Sequence, residues 1–256
     1  MKTAVIIAGV CRHCKISAPS WNLPFSADYF LATWNISQSA YSPDLIPNTE
    51  LEHLKHINFK QIFLEDYIHY HTNHRGHHAG RTFYLYNLVY RSIKNQGYER
   101  VILFRPDLYL HPIKIDANDF NVKENSGLIL GMHEPEHWVD HNSKEMEDEF
   151  FCFDWIAFEK FANFWPAILQ RGRNIHYILY DFIHNSGINL DLLKNYRSVI
   201  IRQSAEECVN LGKEITYDML LSKFMETYKS KNHLGKFVKN FNYENINISS
   251  ITRRAR

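Results

Sequence analysis

The stretch Tyr98–Leu110, YERVILFRPDLYL, limits what this chain can fold into more than any other. Val101, Ile102, Leu103 and Phe104 form a continuous apolar run that stops before Pro106, which reads as a strand buried on both faces. Such a strand needs covering layers on both sides, so the pattern points to an α/β protein with a mixed, mainly parallel sheet flanked by helices. Arg105 and Asp107 follow the run directly and therefore stand at the carboxyl end of a central strand. In open α/β sheets ligands bind along that edge. The plainer reading is an ion pair that caps the strand and steadies its turn.

The remaining segments fit the same frame. Residues 3–8 read as a buried strand ending at Gly9, followed by a turn over 10–15 and a short helix or turn over 20–27. Residues 28–34 and 58–64 read as the next strands. Phe83, Tyr86, Tyr90 and Ile93 recur at spacings of three and four between Gly80 and Gly97, which predicts an amphipathic helix over 82–96. A strand follows at 126–132. Phe151, Trp155, Phe158, Phe161, Ala162 and Trp165 predict a helical face over 148–165, and 175–186 reads as a helix stopped by Gly187. The last strand is expected at 198–202 and the last helix at 217–228. Residues 1–210 would form one domain and 211–256 a helical, basic C-terminal appendage. The acidic, histidine-containing stretch 134–147 reads as a long loop of the kind that covers a site.

Composition narrows the function classes. Lysine and arginine number 29 against 28 acids, a formal net charge of +1, so no global field points to nucleic acid. Charge is local instead: Glu134–Glu149 carries seven acids against Lys144, and Lys229–Arg256 carries seven basic residues against Glu244. That basic stretch suggests peripheral contact with an anionic membrane surface, against the plainer reading of a solvated tail. The apolar N-terminal run is only a strand's length and reads neither as a signal peptide nor as a membrane span. Four cysteines in 256 residues do not make a disulfide framework, which suits a cytoplasmic setting, with the inner membrane surface as the place of any lipid contact.

Two clusters invite alternative chemistry. Cys11 and Cys14 spell C-x-x-C, a spacing used by dithiol redox pairs, although ordinary buried thiols are the plainer reading. His69, His71, His74, His77 and His78 crowd what reads as a loop before Gly80, without matching any closed zinc pattern. Arg75 lies among them and Arg81 follows, and a helix N-terminus at Arg81 would favour an anion.

Four blocks in order resemble a group of glycosyltransferase-like proteins of the GT-A (Rossmann-like) fold, bacterial and viral, that build surface polysaccharides. They are Ala4–Arg12 (AVIIAGVCR), Ala27–Trp34 (ADYFLATW), the helix from Arg81 leading into Tyr98–Leu110, and Asp148–Phe158 (DEFFCFDWIAF). The resemblance implies transfer of a sugar from a nucleotide-sugar donor to a glycan, a lipid-linked glycan or another hydroxyl acceptor. It implies a donor site at Gly9, Arg12, Thr33, Arg81, Arg105 and Asp107, with Asp107 holding either the donor's ribose or a Mn²⁺ or Mg²⁺ ion. Asp148 and Glu149 would face the acceptor as catalytic base or binder. Asp107 is followed by Leu108 and Tyr109, where the usual motif has a second carboxylate. The alternatives are a catalytically silent relative that binds nucleotide or glycan, and a thiol- or metal-dependent enzyme built on Cys11 and Cys14.

Overall fold

The computed structural model describes residues 1–36, 48–73, 80–130, 139–140, 145–146, 149–166, 175–201 and 215–230. Its centre is a seven-stranded sheet in the order β10-β6-β9-β4-β1-β2-β3. The strands are β1 (Thr3–Gly9), β2 (Asp28–Trp34), β3 (Phe59–Glu65), β4 (Arg100–Phe104), β6 (Ser126–Ile129), β9 (Phe150–Asp154) and β10 (Asn189–Leu192). β9 alone runs against the other six. The expected mixed, mainly parallel sheet flanked by helices is therefore observed.

Period two sorts the strand side chains onto two faces. Ala4, Ile6 and Ala8 of β1, Val101 and Leu103 of β4, and Phe151 and Phe153 of β9 face one core. Val5, Ile7, Ile102, Phe104, Phe150 and Cys152 face the other. Full burial of each larger aliphatic or aromatic side chain contributes about 1.5–3 kcal/mol, so these three adjacent strands hold much of the fold's hydrophobic stabilisation.

The first core is closed by α3 (Arg81–Ile93), α4 (Trp155–Ala162) and α5 (Ile175–Ser186), through residues such as Tyr86, Ile93, Phe158, Phe161 and Leu179. α3 is the crossover from β3 to β4 and packs on β1 and β2, so its N-terminus lies at the carboxyl edge of the parallel strands. The second core is closed by the connection after β1 and by a two-stranded sheet of β5 (Leu108–Pro112) and β11 (Tyr196–Ile200). That connection carries α1 (Cys14–Ser17) and a 3₁₀ turn over Ala18–Ser20. α6 (Tyr217–Ser230) packs on β11 and buries Tyr217, Leu220 and Phe224 in the same core. No helix among the described residues is long and apolar enough to cross a membrane.

Several local expectations are corrected. The helix read over 148–165 is a strand followed by a helix: β9 inserts between β4 and β6, and α4 begins only after it. Asp154 makes the break, because its carboxylate accepts from the backbone N–H groups of Ile156 at 3.2 Å and Ala157 at 3.1 Å, capping α4. The helix or turn read over 20–27 lies earlier, at 14–20. The expected histidine loop begins as a helix, α2 (Tyr67–Asn73), whereas His74, His77 and His78 lie outside the described residues. Most of 134–147 is also outside them, but its described parts, β7 (Val139–Asp140) and β8 (Glu145–Met146), pair as an antiparallel ladder. β5 and β10 are additional strands, and the basic tail beyond Ser230 lies outside the described residues.

Gly127 in β6 shows how tightly β9 is inserted. A Cβ there would stand 2.4 Å from Phe153 Cδ1 and 3.0 Å from the Cys152 carbonyl oxygen. Gly127→Ala is therefore expected to destabilise the protein by about 1–3 kcal/mol, the usual cost of overpacking. Urea unfolding of the two proteins measures it, and an unchanged midpoint would contradict the fit described here.

Candidate functional site

The parallel strands end along one edge, which collects Gly9, Thr33 and Phe104, and β9 begins there because it runs the other way. Gly9 has φ +142°, and a Cβ on it would meet Pro106 Cδ at 3.2 Å. The glycine thus serves two needs, a backbone conformation that L side chains rarely adopt and a close approach of the β1 exit to the β4 exit. Next to it the Cys11 N–H donates to Thr33 Oγ1 at 3.3 Å, tying the β1 exit to the end of β2.

Asp107 lies at the centre of this edge and is 1% exposed. Arg105 grips it as a fork, Nε donating to Oδ1 and Nη2 to Oδ2, both at 2.9 Å. Arg12 approaches from the β1 exit, with Nε at 2.7 Å and Nη2 at 2.6 Å from Oδ2. Burial pushes the Asp107 carboxyl pKa up, but the guanidinium groups of Arg105 and Arg12 outweigh burial and hold it well below the ordinary carboxylate range. Asp107 is ionised, buried and bridged to two cations. Arg12 and Arg105 keep 29% and 24% of their side-chain surface exposed.

The segment after Arg12 is fastened to the segment after Asp107. Ser17 Oγ donates to the Pro106 carbonyl at 2.5 Å, Trp21 Nε1 donates to the Leu108 carbonyl at 3.0 Å, and Leu110 N–H donates to Ser20 Oγ at 2.9 Å. Ile201 N–H donates to the Asp107 carbonyl at 2.8 Å, so the end of β11 is fixed there as well. Glu50 accepts from the Cys14 N–H at 2.8 Å. Sequence reading singled out none of Ser17, Ser20, Trp21 or Glu50, since each acts through a partner at least 36 positions away.

Gly9, Arg12, Thr33, Arg105 and Asp107 thus come together. The β4–β9 register pairs Phe104 with Phe150, which places Glu149, 2% exposed, alongside the β4 exit. Arg81 stands elsewhere on the same edge, at the start of α3. Its Nη1 donates to Tyr67 Oη at 3.2 Å, and its guanidinium lies 5.5 Å from the Tyr67 ring centre. Tyr67 in turn meets Trp34, the last residue of β2, edge-on. Asp148 and Arg75 lie outside the described residues.

The residues present do not fit a divalent cation held by Asp107. Both carboxylate oxygens already accept guanidinium donors, three of the four contacts falling on Oδ2, and an ion there would add two positive charges beside two fixed ones. Each unit pair at about 4 Å costs roughly 4 kcal/mol at an effective dielectric near 20. Among the described residues no three His, Cys, Asp or Glu side chains come together as a metal site. The C-x-x-C pair does not present a reactive thiol. Cys11 and Cys14 are fully buried in the second core, and the Cys11 thiol beside it together with burial pushes the Cys14 thiol far above its ordinary range.

No family model matches this chain, and no curated protein does. Among solved structures, it is similar to mouse xyloside xylosyltransferase 1 in its apo form, at 10% sequence identity and a TM-score of 0.41, over 75% of this chain and 84% of that one.

Asp107 is a buried ion-pair partner and not a strand-exit carboxylate that the fold could lose freely. Breaking a buried ion pair from one side costs about 3–5 kcal/mol, so Asp107→Asn is expected to lose that much stability at pH 7. Because the folded pKa lies below the ordinary 3.8, the carboxylate's contribution is fully present above about pH 4 and is lost as pH falls toward the folded value. The gap between wild-type and variant unfolding midpoints should close with acidification below pH 4. A gap that stays constant from neutral to acid would refute the assignment.

Proposed function

We propose that this protein is a glycosyltransferase that moves a sugar from a nucleotide-sugar donor to a hydroxyl acceptor, with the donor at the edge formed by Gly9, Arg12, Thr33, Arg105 and Asp107. The observation that carries the reading is that two arginines from different strand exits converge on one buried aspartate at the carboxyl edge of a parallel sheet. That edge is where such sheets take ligands, and exposed guanidinium suits phosphate oxygens. The ordered blocks that resemble GT-A glycosyltransferases lie on the same elements and support the same donor class.

The chemistry asks for three things. Negative charge grows on the diphosphate as the bond to the anomeric carbon breaks, the sugar passes through an oxocarbenium-like state, and an acceptor hydroxyl must lose a proton. In this reading Arg12 and Arg105 face the diphosphate, and Arg81 with the positive end of α3 adds charge farther along the edge. Gly9 lets the ligand approach backbone at the β1 exit. Glu149 is the acceptor-side carboxylate, with Asp148 next to it in sequence. The acceptor is a glycan or lipid-linked glycan, met in a cytoplasmic setting, with the basic residues 229–256 of the 211–256 appendage as the contact to an anionic membrane surface.

Incubation with a panel of nucleotide-sugars, with nucleoside diphosphate release as the readout, tests the proposal. Wild-type protein should release nucleoside diphosphate from at least one donor, and Arg12→Gln should lower the rate by about 10²–10³-fold, the scale for losing one electrostatic stabiliser. Thermal stabilisation by a nucleoside diphosphate without release from any donor would instead favour the silent binding relative. Neither stabilisation nor release would reject both.

A further inference from the structure

The arrangement around Asp107 says more than that an anion binds there. Its two oxygens receive three guanidinium hydrogen bonds and a fourth close guanidinium nitrogen, all between 2.6 and 2.9 Å. The residue that accepts them is buried. A hard divalent ion at about 2.0–2.1 Å from this carboxylate would compete with the guanidinium groups, most directly at Oδ2, which takes three of the four contacts. The carboxylate is therefore committed to orienting cations that belong to the chain. Both guanidinium groups stay partly exposed, as planar donors whose positions Asp107 fixes.

We infer that Arg12 and Arg105, locked by Asp107, form a metal-independent diphosphate cradle, in which two guanidinium groups take the part that a divalent cation takes in a carboxylate-based donor site. Asp107 is a positioning residue in this cradle and does not touch the ligand. The cradle explains why the carboxylate stands alone in the sequence: Asp107-Leu108-Tyr109 lacks a second acid, and an acid that only holds arginines needs no second one. It also explains why the β1 exit carries arginine. Lysine has a single charged nitrogen and could not engage Asp107 by both Nε and Nη2 while offering its outer edge to a ligand. The Gly9 to Pro106 approach brings the two exits close enough for one carboxylate to serve both arginines.

The inference rests on reading this edge as the donor site, and inorganic pyrophosphate separates the two. Isothermal titration of the full chain with pyrophosphate is carried out in excess chelator and again in excess magnesium. Binding in chelator with the same affinity as in magnesium is expected. Arg12→Gln and Arg105→Gln should each weaken binding about tenfold or more, as loss of a charge-assisted contact does. Arg12→Lys, which keeps the charge, should recover only part of the loss, and Asp107→Asn should weaken binding although it removes a negative charge. A purely structural aspartate in a site read by charge alone would give the opposite sign for that last variant. Binding that requires magnesium overturns the cradle and leaves the glycosyltransferase proposal standing. Pyrophosphate bound in chelator by a protein that transfers no sugar would keep the cradle and remove the transferase reading. Absence of pyrophosphate binding in both buffers, or binding unaffected by the arginine changes, overturns the cradle, and the comparison between buffers needs no variant to fold.

Discussion

The ion bridge Arg12–Asp107–Arg105 is the interaction on which the carboxyl edge depends. It joins the exit of β1 to the exit of β4, and the chain around it is pinned by neutral contacts from Ser17, Ser20, Trp21 and Ile201. Burying a carboxylate is costly, and several kcal/mol per ion must be offset before the bridge contributes anything. Here the offset comes from four close guanidinium nitrogens. The bridge is better understood as fixing geometry than as adding stability, since an apolar replacement of similar volume would pack the same space without orienting anything.

Sheet topology explains why these residues meet. Six strands pointing one way deliver the exits of β1, β2 and β4 to a common edge, within about 4.8 Å of lateral spacing per strand. The inverted β9 then brings an entrance to that edge, and with it Glu149, the residue before Phe150. A parallel strand in the place of β9 would have put Asp154 there, where the structure instead uses Asp154 at the far edge to cap α4. One reversal of direction therefore assigns two acids of the same block to different ends of the molecule.

The parts of this plan that the sequence makes legible are those whose signal is local. Residues 3–9, 28–34 and 100–104 contain the apolar runs Ala4–Ala8, Tyr29–Ala32 and Val101–Phe104, and α3 carries a clean three-and-four periodicity, so each reads correctly to within a residue or a few. β9 carries the same run signature in Phe150–Phe153, but Phe151, Trp155, Phe158 and Trp165 also fall at helical spacing, and the longer pattern masks the shorter. β5 and β10 lack the continuous run of four apolar residues that marks the equally short β4, so neither stands out in the sequence. Arg105 and Asp107 can be picked out by their place after a buried run. The burial of Asp107 cannot, because it depends on Arg12 at a separation of 95 residues and on a covering layer whose own contacts are equally remote.

The two ends of β4 show how an enclosed charge differs from an accessible one in this fold. Arg100 opens the strand and is 3% exposed; its Nε donates to Thr3 Oγ1 at 3.1 Å, its Nη1 donates to the Phe120 carbonyl at 3.0 Å, and its guanidinium lies 3.9 Å from the Phe25 ring centre. Those partners are neutral and enclose it, and burial lowers its pKa. Arg105 leaves the same strand after the last apolar residue, is held by a carboxylate that it and a second arginine keep ionised against the effect of burial, and retains a partly exposed side chain. Both arginines are ordered, but only the second has its charge both oriented and accessible. An ordered, accessible cation at the carboxyl edge is what a phosphate-bearing substrate requires, and the closed amino edge offers nothing of the kind through Arg100.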